Sequence, residues 1–145
     1  MIRVLVAAEP IDVAAELASV EVDGAGGIAS FIGRVRADDG VSTLELEHYP
    51  GMTEAALRRV AEGARDRWGL AAVTIVHRVG AILPGERIVF VATAAVHRRA
   101  ALDACAYCID RLKTDAPFWK REVTPEGARW VEARAGDAAR AADWG

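Results

Sequence analysis

With 145 residues, 52% of them apolar, the chain is long enough to bury the core of one domain and too apolar to be disordered. Its formal net charge of −3 argues against a general nucleic-acid binder. The apolar run Ile88–Val96 is far shorter than the ~20 residues of a membrane span, and the first ten residues do not form a secretory signal, so we expect a cytoplasmic protein.

The first half of the chain alternates strand and helix patterns. Asp12 is suited to cap a short helix that ends near Ser19, and Thr53 is suited to cap a longer helix that ends before Gly69. In the longer helix, apolar residues recur at helical spacing. Apolar runs and a period-two alternation predict strands at residues 2–7, 28–35 and 44–47.

The second half contains a second long helix between further strands. The helix begins after His97 and ends before Pro117, which cannot continue it. A Pro84-Gly85 turn separates the first two of these strands. The strands are predicted at residues 73–79, 87–95 and 129–133.

This order of elements predicts a single domain over residues 1–145. Helices and strands alternate without internal repeats or linkers, which favours a two-layer α+β domain over a doubly wound parallel sheet. The tail from Ala135 is expected to be loosely held.

Cys105 and Cys108 form a Cys-x-x-Cys pair, which is typical of thiol redox sites or of half a zinc site. A zinc site needs two more ligands, and the three histidines are scattered along the chain. Both cysteines also fall on the apolar side of the second long helix, where a free cysteine usually packs in the core. We therefore favour packing and expect neither a metal nor a cofactor.

His48 and His77 each stand near the end of a predicted strand. Either can titrate near neutral pH, although a structural hydrogen bond is the commoner role at such positions. The sequence leaves both alternatives open.

The segment 113–122 places two lysines and an arginine around an apolar corner. Pro117 stops the preceding helix, and Phe118 and Trp119 are large enough to anchor the turn in a core. Such a cationic pocket in an acidic protein indicates an anionic substrate.

The two lysines of this corner are candidates for proton transfer. Lys113 falls near a helix C-terminus, where a cation is stabilised, whereas Lys120 has no such structural explanation. Two lysines in one pocket disfavour each other's protonation, and a lysine tuned in this way acts as a general acid or base. Glu122 is placed to pair with either lysine.

Two other basic clusters are candidate anion sites. Arg34 and Arg36 flank Val35 at the end of a predicted strand, so alternation directs both guanidiniums to one face, where they can grip a phosphate or carboxylate. The alternative is a charged strand edge exposed to solvent. His97 and Arg98 stand at the start of a helix, whose free N–H groups bind anions. The alternative there is a solvated helix start.

These stretches together resemble the family of the large, catalytic subunit of molybdopterin synthase. The resemblance runs in family order from about Gly24 to Ala133. The matching segments are Phe31-Ile32-Gly33-Arg34-Val35-Arg36, Leu46-Glu47-His48-Tyr49-Pro50-Gly51-Met52, His77-Arg78-Val79-Gly80, Pro84-Gly85-Glu86, His97-Arg98, and residues 112–122.

The resemblance implies a sulfurtransferase that converts cyclic pyranopterin monophosphate into molybdopterin during molybdenum cofactor biosynthesis. Two sulfurs come from the thiocarboxylated C-terminus of a small ubiquitin-like sulfur-carrier subunit. A homodimer of large subunits with one small subunit at each end, a heterotetramer, is also implied. The family fold is α/β hammerhead-like with additional antiparallel β structure, which agrees with the α+β prediction.

The family's functional residues are carried over by motif. Lys113 and Lys120 match its catalytic lysines, and which of the two works as acid or base is left open. Arg134 is expected to reach the neighbouring subunit's pocket. The residues matching its substrate-binding segments are Arg34, Val35, Arg36, His97, Arg98, Lys113, Lys120, Arg121 and Glu122.

Two alternatives belong to other functional classes. A non-enzymatic module would only bind a ubiquitin-like tail or a phosphorylated pterin, and would not need two cations at a proton-transfer site. A thiol redox protein would depend on Cys105 and Cys108, so that Cys105→Ala would abolish function.

Overall fold

Two four-stranded sheets organise the chain, which a computed structural model describes over residues 1–36, 40–131 and 135–144. These residues form, in chain order, β1 (Ile2–Ala7), α1 (Val13–Ser19), β2 (Gly27–Arg34), β3 (Thr43–His48), α2 (Met52–Trp68), β4 (Ala72–Arg78), β5 (Gly80–Ile82), β6 (Arg87–Ala95), α3 (Arg98–Asp115), β7 (Phe118–Thr124), β8 (Gly127–Val131) and α4 (Ala135–Ala142). None of the helices in these ranges is long and apolar enough to cross a membrane.

The first sheet has the strand order β1-β4-β6-β2. β1 and β4 run parallel, while β6 runs antiparallel to both of its neighbours, β4 and β2. β2 and β4 therefore end where β6 begins. We call this side the carboxyl end of the first sheet; it carries Arg34, His77, Arg78 and Arg87. The junction between β6 and α3, at His97, lies at the opposite end.

Helices α2 and α3 cover one face of the first sheet because each presents a side of small apolar residues to it. The residues buried there are Leu57, Val60, Ala61 and Ala64 of α2 and Ala101, Ala104, Cys105, Cys108 and Leu112 of α3. A second buried cluster, around Val76 and Phe90, fills the other face beneath α1. The predicted α+β class is confirmed by this layering of helices on a mostly antiparallel sheet.

The second sheet has the order β5-β3-β7-β8 and adjoins the carboxyl end of the first. Val35, Leu46 and Ile82 form a small buried cluster that joins the two sheets, and Phe118 packs against it. The second sheet therefore holds the start of β7 over the end of β4.

The structure differs from the predicted elements at three places. β5 and β7 are strands that the sequence does not predict. β5 is defined by its pairing with β3. β7 mixes charged and apolar residues and is defined by its pairing with β3 and β8. α2 begins after Gly51, whose φ of 85° suits glycine, so Gly51 rather than Thr53 is its N-cap residue. The third difference is the tail.

The tail, expected to be loosely held, forms α4 and is fixed by Trp144. The Trp144 indole donates to the Asp110 carboxylate at 2.7 Å, and the Arg67 guanidinium donates to the Trp144 carbonyl at 2.6 Å. The Trp144 ring also packs edge-on against Trp68 and Tyr107. These contacts dock the tail on α2 and α3.

Candidate active site

The turn between α3 and β7 is fixed by one buried hydroxyl group. α3 ends at Asp115, and Ala116 is extended, as expected for a residue that precedes proline. The fully buried Thr53 hydroxyl donates to the Pro117 carbonyl at 2.8 Å and accepts from the Tyr49 amide at 3.0 Å. The sequence predicts Thr53 only as a helix cap, whereas in the fold it ties α2 and the end of β3 to this turn.

Replacement of Thr53 by valine is expected to destabilise the protein by about 1–3 kcal/mol. Valine keeps the shape of threonine but leaves the Pro117 carbonyl and the Tyr49 amide without their buried partner. The expected fall in Tm is roughly 2–4 °C per kcal/mol, measured by thermal unfolding. Thr53→Ser, which keeps the hydroxyl, is the matched control. A valine variant as stable as the wild type would contradict the bridging role.

Phe118 and Trp119 lie on opposite faces of β7, since side chains alternate along a strand. Phe118 points inward and stacks on His77, with ring centroids 4.0 Å apart and an interplanar angle of 24°. Trp119 is 51% exposed and packs edge-on against Tyr49 and Trp130. The expectation that both rings anchor the corner in the core is therefore correct for Phe118 and wrong for Trp119.

The two predicted catalytic lysines share one neighbourhood. Lys120 follows Phe118 by two residues and so lies on the same face of β7, toward His77. Lys113 lies in the last turn of α3. Both ammonium groups are close enough to the His77 ring to lower its pKa, and both side chains remain accessible to solvent. The fold thus brings the lysine pair together around His77.

His77 is a buried, neutral imidazole. It is 5% exposed, and its Nδ1 lies 2.8 Å from the Arg78 carbonyl oxygen. The pKa of His77 is lowered to about 4, first by burial and then by the charges of Lys120, Lys113 and His48, against the opposing effect of that hydrogen bond. Sequence reasoning left the role of His77 open, because only the fold places it against the two lysines.

The Arg34–Arg36 segment is anchored to the turn before β6. β2 ends at Arg34, whose Nε donates to the Gly85 carbonyl at 3.0 Å. The Val35 side chain is buried, and its amide and carbonyl bond the Glu86 carbonyl and the Gly85 amide. Arg36 lies beyond the strand, so the alternation expected to put both guanidiniums on one face does not extend to it. Val35 contributes packing and backbone contacts here rather than an accessible side chain.

The remaining predicted residues of β7 pair with neighbouring strands. Arg121 forms an ion pair with Glu45 of β3. Glu122 accepts hydrogen bonds from the Arg129 guanidinium at 2.8 and 3.1 Å, so its partner is this arginine rather than a lysine. Arg134 lies outside the described residues.

His97 and Arg98 lie far from the lysines within the chain. They stand at the start of α3, while Lys113 is in its last turn, about 22 Å away at about 1.5 Å per residue. Both side chains are exposed. A Cβ at Gly27 would lie 3.2 Å from the Arg98 Cα, which explains the glycine where β2 passes this junction. One chain therefore does not bring the predicted anion site and the lysine pair into one pocket.

The cysteines pack in the core, as we favoured. Both are free and buried, and burial raises the pKa of Cys105 to about 11 and also raises that of Cys108. Neither thiol ionises near neutral pH, and a thiolate is the reactive form. The thiol redox alternative has no support in this geometry.

Sequence and fold are both similar to known proteins. The family model described as MoaE protein matches residues 6–115. Molybdopterin synthase catalytic subunits from Escherichia coli (strain K12) and Caulobacter vibrioides are 48% and 57% identical; the alignments cover 98% and 82% of this chain and 97% and 80% of those proteins. The solved MoaE protein from Burkholderia ambifaria MC40-6 is 48% identical with a TM-score of 0.86, covering 99% of this chain and 98% of that one.

Proposed function

The chain belongs to the MoaE protein family, and from this membership we propose that it converts cyclic pyranopterin monophosphate into molybdopterin, as the catalytic subunit of a molybdopterin synthase. Membership makes it an enzyme subunit of molybdenum cofactor biosynthesis. The sulfur donor we propose is the thiocarboxylated C-terminus of a small ubiquitin-like partner, which delivers two sulfurs per product.

The lysine pair supplies the cationic groups that this chemistry needs. One ammonium neutralises the thiocarboxylate and the charge that develops on its acyl oxygen. The other moves protons as the thiocarboxylate sulfur adds to the substrate and water then cleaves the acyl C–S bond, which leaves the sulfur on the substrate and releases the partner as a carboxylate. The observation that carries the proposal is the convergence of Lys113 and Lys120 on His77, which is neutral and so leaves the positive charge of both lysines available to the anions.

The phosphate of the substrate has cationic groups at the same end of the sheet. β2 and β4 are two strand spacings apart, about 10 Å, so Arg34 at the end of β2 and Arg36 just after it start from the same side of the sheet as His77. We assign phosphate binding to these two arginines. Arg121 and Glu122 have an indirect role in this proposal. Their ion pairs with Glu45 and Arg129 hold β7, the strand that carries Lys120, in place.

In a homodimer, His97 and Arg98 of one chain can lie at the lysine pair of the other chain. These residues are about 22 Å from Lys113 in one chain, so the copy that contributes them to a lysine pocket is a second chain. The edge strand β2 supports such an assembly, because it exposes Ile28, Phe31 and Ile32. With one small subunit bound at each lysine pocket, the assembly becomes the heterotetramer.

The compartment we propose is the cytoplasm. The two cysteines stay free although both are buried in one helix, which suits a reducing environment.

Incubation of the chain with thiocarboxylated partner and cyclic pyranopterin monophosphate tests the function. Mass spectrometry is expected to find a product that has gained two sulfurs, together with partner that has lost its sulfur. Binding of both ligands without conversion would instead support the non-enzymatic module. Conversion that continues when the chain is omitted would overturn the proposal.

A further inference from the structure

His77 is held rigidly from two sides. Its ring lies flat against Phe118, and its Nδ1 is within hydrogen-bond distance of the Arg78 carbonyl. A carbonyl oxygen only accepts, so Nδ1 carries the proton and Nε2 is left with a lone pair. The fold therefore fixes both the orientation and the tautomer of the imidazole.

The Nε2 atom is available to a group in the lysine pocket. The hydrogen bond that holds the ring uses Nδ1, so Nε2 is the nitrogen that can accept a bond from another group. His77 is 5% exposed. Because the ring stays neutral at pH 7, Nε2 is an acceptor.

Two lysine ammonium groups lie around this acceptor, and the His48 side chain lies beside them. Lys120 lies on the face of β7 that meets the His77 ring, Lys113 approaches from the end of α3, and His48 approaches from β3, opposite Phe118. An ammonium group has three donors and no acceptor, so it complements a bare imidazole nitrogen.

We infer that His77 is a positioning residue for the lysine pair: its Nε2 accepts a hydrogen bond from a lysine ammonium and holds that lysine toward the bound substrate. The inference rests on the proposed function and names a residue that works through the lysines without touching the substrate. A neutral acceptor suits this task better than a carboxylate. A carboxylate would bind the lysine as an ion pair and repel both the phosphate and the thiocarboxylate.

Three substitutions of His77 distinguish the roles of its two ring nitrogens. Asparagine can keep the bond to the Arg78 carbonyl but does not reach the Nε2 position; glutamine can place an amide oxygen there; phenylalanine keeps the stacking on Phe118 but has neither nitrogen. Thr74→Val, a buried substitution on the other face of β4, is the control for general effects on this strand.

The experiment measures kcat, KM for the cyclic substrate and Tm for the wild type and these four variants, with thiocarboxylated partner in excess. We expect His77→Asn and His77→Phe to lower kcat about 10- to 100-fold with KM nearly unchanged, because a misplaced catalytic group slows chemistry more than binding. His77→Gln is expected to recover most of kcat, and Thr74→Val to keep all of it.

Two results would overturn the inference. One is wild-type kcat in His77→Asn or His77→Phe, and the other is a loss of kcat that follows Tm equally across all His77 variants, which indicates a structural role alone. If His77→Phe fails to fold, the difference in kcat between His77→Asn and His77→Gln still tests whether Nε2 positions a lysine. Failure of the proposed function itself would appear separately, as a wild-type chain that forms no product.

Discussion

Lys120→Ala and Lys113→Ala should each lower kcat at least ~100-fold while the protein stays folded. Removal of a positioned acid–base or electrostatic group typically costs about 10²–10³ in rate, or about 3–4 kcal/mol in the activation barrier. Both lysines are accessible to solvent, so their truncation removes little packing. Steady-state product formation with thiocarboxylated partner measures the effect, and circular dichroism verifies the fold.

Two controls sharpen this experiment. Arg65→Ala removes an exposed cation of α2 that pairs with Asp66, away from the corner, and is expected to leave kcat unchanged. Lys120→Arg keeps the charge but not the readiness to give up a proton, so it separates the electrostatic role from the acid–base role. Near-normal turnover in both alanine variants would eliminate the lysine pair as the catalytic centre.

Mixing two inactive variants should restore activity if each pocket is shared between two chains. One variant carries Lys120→Ala, and the other carries His97→Ala together with Arg98→Ala. In a mixed homodimer one pocket combines both sets of substitutions, while the other has intact lysines from one chain and intact His97 and Arg98 from its partner. Random association makes half of the dimers mixed, so about one quarter of the wild-type activity is expected.

The matched control mixes Lys120→Ala with Lys113→Ala. Both lysines come from the same end of one chain, so each pocket of this mixed dimer lacks one of them and no activity should return. Turnover is measured after co-expression or after subunit exchange. If the first mixture also stays inactive, although mixed dimers are shown by mass spectrometry, His97 and Arg98 do not complete the pocket of a neighbouring chain.

The regular elements of the first sheet and its two long helices could be predicted from local patterns. Apolar runs predict strands β1, β4 and β6, and the Pro84-Gly85 turn separates the last two of them. Pro117 predicts where α3 ends. β7 could not be predicted in this way, since its sequence, Phe118 to Thr124, carries a lysine, an arginine and a glutamate. Its strand conformation comes from partners that are distant in the chain, such as Glu45 opposite Arg121, 76 residues away.

The sequence predicts which residues form the candidate site but not how they are arranged. The motif around Pro117 identifies Lys113 and Lys120, and the structure places both beside the same ring. The place of His77 beside the lysines depends on a contact between β4 and β7, which no local pattern contains. The separation of His97 from the lysines likewise depends on the direction and length of α3.

The burial of Cys105 and Cys108 bears on how sulfur can be followed through the reaction. A protein that handles an activated sulfur atom risks losing it to its own thiols by exchange, but an un-ionised thiol in the core is neither nucleophilic nor reachable. These are the only two cysteines of the chain. Isotopically labelled sulfur supplied on the partner should therefore pass to the pterin without labelling this polypeptide. The amount of label lost by the partner should then equal the amount gained by the pterin.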